Sequence, residues 1–199
     1  MKFLIVCVIA AALGIAEAGY VTGKKCPTVS SIAYSSDMAT RTLHRALYVD
    51  STTYGYINQL NKVTPTSKGI NMTCLNDGTY GFSEAQFAYY YQNATGPTSL
   101  NFLYFDPVTA TSFFYDCVDQ AKFAGLLAYV AADSGLALPP AVVNSMSKLL
   151  AFGRFEVFIV TSSVTSLSAS VISAMTSAVK TQLPNFSMSS MTTINQNGC

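Results

Sequence analysis

His44 is the only histidine in the 199-residue chain, so a Ser–His–Asp nucleophile would have to be assembled around it. Serines abound, and Asp37 and Asp50 are near it in sequence. The G-x-S-x-G turn that lifts a nucleophilic serine is missing, so nothing selects one serine for attack. His44 therefore reads as a strand or surface histidine. Asp116 and Asp119 stand three apart, but they adjoin the start of a helical pattern, where negative charge is favourable. A single histidine and no C-x-x-C spacing leave no zinc or haem site. The scattered acids form no calcium loop. No catalysis, metal or cofactor is expected.

Charge excludes another class. Lys and Arg number 11 against 10 Asp and Glu, for a net charge of +1. No basic block exists to neutralise phosphates, so nucleic acid is not an expected partner. Half of the residues are hydrophobic and 11% are charged, the reverse of a disordered composition.

The cysteines carry redox information. Cys7 lies in a leader-like segment: Lys2, an apolar run from Phe3 to Ile15, then Ala16-Glu17-Ala18. This pattern reads as a secretory signal over residues 1–18, with cleavage before Gly19. The remainder, 19–199, has the size of one domain. No later run of about 18–20 residues is apolar throughout, so no membrane span is expected and the product is expected outside the cell. Cys26, Cys74, Cys117 and Cys199 remain, an even number suited to disulfides in an oxidising compartment. Their spacing leaves all three pairings open. Three sequons, at Asn71, Asn93 and Asn185, are candidate glycosylation sites.

Aromatic residues are the remaining chemical feature. The chain has 12 Tyr, 12 Phe and no Trp. Strand alternation would put Phe87, Tyr89 and Tyr91 on one face, Phe102 with Tyr104, and Phe113 with Tyr115. Rings tipped with hydroxyls suit a cavity that stacks an apolar ligand and orients its polar end. The same rings also suit a packed core, the commoner reason for such rings.

The elements that must position these rings follow from local pattern. Strands are expected over Thr42–Tyr48, Thr53–Leu60, Ile70–Leu75, Leu100–Phe105 and Thr109–Cys117. Asn76-Asp77-Gly78 marks a hairpin. Helical spacing follows in Val118–Ala132 and again from Ala141, ending at Gly153. Arg154–Thr161 reads as a strand. A helix capped by Ser166 or Ser168 runs to Gln182 and stops at Pro184. Met191–Ile194 is partly strand-like.

This layout resembles a family. The leader, Gly23 to Pro27 as G-x-x-C-P, the aromatic strands, Tyr115-Asp116-Cys117, and a late strand, helix and final Cys resemble secreted lipocalins. The likeness is to the apolipoprotein D and insecticyanin-like group. Phe155 to Cys199 carries most of it. The family's G-x-W would fall near Thr40-Arg41-Thr42, and this chain has no Trp. Helical pattern also stands between Cys117 and Phe155, where that family has strand. The resemblance implies a mostly β chain with helices, forming an antiparallel barrel with the C-terminal helix packed outside. It implies bridges Cys26–Cys117 and Cys74–Cys199. The expected function is a secreted carrier for a small hydrophobic ligand, such as a pigment, retinoid, fatty acid or pheromone. Its lining would draw on Tyr56, Phe87, Tyr89, Tyr91, Phe102, Tyr104, Phe113 and Phe158. The alternative is a secreted structural or interaction glycoprotein, whose low-charge surface favours self-association.

Overall fold

Strands form where aromatic and β-branched residues gather, and helices where small and aliphatic residues keep a 3.6-residue period. The structure, a computed structural model, describes residues 25–33, 44–50, 73–82, 100–133, 135, 138–149 and 155–196. The strands are β1 (His44–Asp50), β2 (Thr73–Cys74), β3 (Tyr80–Phe82), β4 (Asn101–Asp106), β5 (Thr111–Val118), β6 (Phe155–Ser162) and β7 (Met191–Thr193). The helices are α1 (Gln120–Asp133), α2 (Pro140–Leu149) and α3 (Ala169–Gln182). The expected strand over 53–60 lies outside the described residues, as does residues 1–18.

The chain is mostly antiparallel sheet with a few helices. The strand order is β2-β3-β1-β6-β5-β4, with β7 added beside β1. Among the described residues the sheet is not closed into a barrel. The described residues fall into two compact units, one containing α1 and α2, the other containing most of the sheet with α3.

In the sheet unit, Asn76-Asp77-Gly78 turns β2 into β3 as expected. Leu75 N donates to Thr79 O at 2.8 Å and Gly78 N to Leu75 O at 2.9 Å. Gly78 takes the left-handed φ of +76° that such a three-residue loop requires. β1 pairs with β6 along one edge. Its other edge is divided: His44 and Arg45 pair with β3, and Tyr48 to Asp50 pair with β7. The Gln196 side chain fills the join. Its Nε2 donates to Ala46 O and its Oε1 accepts from Tyr80 N, both at 2.6 Å. One side-chain amide thus does what a strand backbone would do there. The outer edge of β4 is blunted as well, since Ile32 N donates to Phe102 O at 2.7 Å.

In α3, Ser168 rather than Ser166 is the cap, and its Oγ accepts from Val171 N at 3.3 Å. Met175 and Val179 are the buried side chains of this helix. Replacing Ser168 by alanine is expected to cost about 1 kcal/mol by orphaning a first-turn N–H. A urea melt would then show a lower midpoint at unchanged slope.

The helical unit is held by Cys26–Cys117, with Cα atoms 5.7 Å apart. Asp119 starts α1, its Oδ1 accepting from Ala121 N and Lys122 N at 3.1 Å each. Its Oδ2 accepts from Cys26 N at 3.4 Å. Phe123 and Leu127 of α1 bury against Val143 of α2, with Val118, Ala124 and Leu138 around them. Pro140 occupies the first position of α2, where its missing N–H has no intrahelical acceptor to lose.

Candidate functional site

Alternation along the strands gives the sheet two faces, which can be followed by register. On the first, Phe113 and Tyr115 point together, as expected. Phe158 meets both, with ring centroids 6.1 and 5.4 Å away. Phe186, just beyond α3, closes over Phe113 at 5.0 Å and Phe158 at 5.5 Å. Tyr104 is opposite Phe113 and so belongs here. Burial and the nearby Asp106 charge raise the Tyr104 hydroxyl pKa above its ordinary value. It remains a protonated donor at neutral pH.

The expected pairing of Phe102 with Tyr104 on one face does not occur. A register shift between these residues, at the β4 bulge, sends them to opposite sides. Phe102 is opposite Phe114, and the two rings meet at a tilt with centroids 4.0 Å apart. Phe82 approaches Phe114 from the other side at 5.9 Å. By register, His44 aligns with Phe82, Ala46 with Thr161 and Val49 with Ile159. This second face is deeply buried: Phe82, Phe102 and Phe114 are each 1% exposed.

Polar groups are set among these rings. Thr111 Oγ1 and Ser162 Oγ meet at 3.0 Å on the Phe113 face. One step along each strand, Ser112 and Thr161 therefore turn to the Phe114 face. Both are 0% exposed. Among the described residues, neither hydroxyl has a hydrogen-bond partner. His44 and Asp116 are buried on the same face. Arg45 is not: it aligns with Ser162 and belongs to the opposite face. There it pairs with Asp77 at 2.6 Å and donates to Ser163 O.

Of the residues selected from sequence, Tyr104, Phe113 and Phe158 thus gather on the Phe113 face and Phe102 on the other. Tyr56, Phe87, Tyr89 and Tyr91 lie outside the described residues. Phe82, Phe114, Ser112 and Thr161 were missed. No motif marks them, because a buried serine in a strand has no local signature. Cys26–Cys117 is formed, and Cys74 is disulfide-bonded too, while Cys199 lies outside the described residues. Asn185 is exposed; Asn71 and Asn93 lie outside the described residues.

Asp77 carries the pH response of the hairpin. Hydrogen bonds from Thr79, with Arg45 adding to them, overcome desolvation and hold its carboxyl below the ordinary 3.8. Its unfolded pKa is higher, so its contribution is present above that value and lost as pH falls through the folded one. Asp77→Asn is expected to lower the melting temperature slightly at neutral pH, where the contribution is present, and to flatten the acid limb so that variant and parent converge at low pH.

Among the described residues, no helix is long and apolar enough to cross a membrane, and no cluster could hold a metal ion. Comparisons with protein-family models, curated proteins and solved structures found no match.

Proposed function

We propose that this protein is a secreted carrier of a small hydrophobic molecule, held against the Phe114 face of the sheet. The observation that carries this reading is the mixture on that face. Close, tilted rings share the face with two wholly buried hydroxyls that have no hydrogen-bond partner among the described residues. A purely structural core avoids such groups, since each unmade hydrogen bond costs about 1–3 kcal/mol. A ligand site needs apolar area with a few polar atoms to orient what enters. In this proposal the sheet curls toward a lipocalin-like antiparallel barrel with the Phe114 face inward. Phe186 on the opposite face fits α3 packing outside. The disulfide and the leader-like N-terminus support secretion, with glycans proposed at Asn71, Asn93 and Asn185.

Titration with a fluorescent apolar probe tests the proposal. Binding is expected, and Phe102→Leu should weaken it about two- to tenfold through lost ring contacts. Lys180→Ala, at an exposed position of α3, should leave it unchanged. No probe binding by the folded protein would reject the carrier and leave a structural or interaction glycoprotein.

A further inference from the structure

We infer that the ligand ends in a neutral oxygen group, an alcohol or carbonyl rather than a carboxylate, and that Ser112 and Thr161 receive it. This rests on the carrier reading above and adds the chemical class. The two hydroxyls lie on neighbouring strands, β5 and β6, and turn to the same face. Each can donate one hydrogen bond and accept others. They suit a group needing donors, acceptors or both.

A carboxylate needs more. Ionised and buried, it requires a cation or a dense set of donors. Among the described strand residues, Arg45 is the one Lys or Arg, and it is on the opposite face, paired with Asp77. A neutral oxygen meets no such penalty.

Three probes of equal chain length separate the possibilities: 1-hexadecanol, palmitate and hexadecane, each displacing the fluorescent probe at pH 7.5. The alcohol is expected to bind tightest. Ser112→Ala and Thr161→Val should each weaken alcohol binding about five- to tenfold and leave hexadecane unchanged. The same variants without ligand should melt no lower than the parent, because neither hydroxyl has a hydrogen-bond partner to lose among the described residues. A structural role would instead lower the melting temperature. Palmitate binding as tightly as the alcohol, or alcohol affinity unchanged in both variants, would overturn the inference while the carrier reading stands. Failure of every probe to bind the folded protein would reject the carrier reading itself.

Discussion

Alanine at Gly81 is expected to prevent stable folding of the sheet unit. A Cβ built there would be 2.2 Å from His44 O and 2.9 Å from Arg45 Cα. Leu75 Cδ1, at 2.8 Å, belongs to a side chain that can rotate away. The two backbone atoms can retreat only if β1 parts from β3. Their pairing consists of His44 with Phe82 and Arg45 with Gly81, so little would remain to hold the hairpin. Overpacking of side chains usually costs about 1–3 kcal/mol, and a clash with backbone belongs at or above the top of that range. Against a total stability of about 5–15 kcal/mol, the folded population falls sharply. Chemical denaturation of Gly81→Ala, with Gly78→Asn as the control, checks this. Gly78 has open space around its Cβ position and needs only its positive φ, which asparagine tolerates. A Gly81→Ala protein as stable as the control would contradict the close packing of β1 on β3.

The second large effect belongs to Phe114. Its ring is 1% exposed and lies between Phe102 and Phe82. Truncation to alanine is expected to cost about 3–5 kcal/mol, from lost transfer free energy together with the cavity left between two rings. Phe114→Leu keeps most of the volume and should cost much less. The comparison also bears on function. If the Phe114 face holds a ligand, Phe114→Leu should remain folded yet bind the apolar probe more weakly. Equal binding by Phe114→Leu and the parent would move the site away from this ring.

Local chemistry was legible in the residues. Asn76-Asp77-Gly78 had to turn, because Gly78 alone accepts the positive φ without strain. Asp119 and the helical spacing after it placed α1, with the start shifted to Gln120 by the cap. Pro184 stopped α3 for the same kind of reason, while its cap was left between Ser166 and Ser168. Each signal acts within one turn of chain, so neighbours in sequence suffice to read it. The Cys26–Cys117 bridge was different: the residues left three pairings open, and only the likeness to a family selected it.

Sequence by itself thus determined the helices, the main turn and most of the longer strands of the described chain, together with a composition poor in groups for catalysis, but not the short strand β3 or which serine caps α3. Tertiary structure alone decided which side chains share a face. Alternation predicts faces only while a strand is regular, and one bulge between Phe102 and Tyr104 reverses everything on one side of it. It also decided that Gln196 would complete the β1 edge, that Phe186 would cap Phe113, and that Gly81 would lie against the His44 carbonyl. These contacts join residues far apart in the chain. Their energies depend on distances that folding creates, and no short run of residues encodes them.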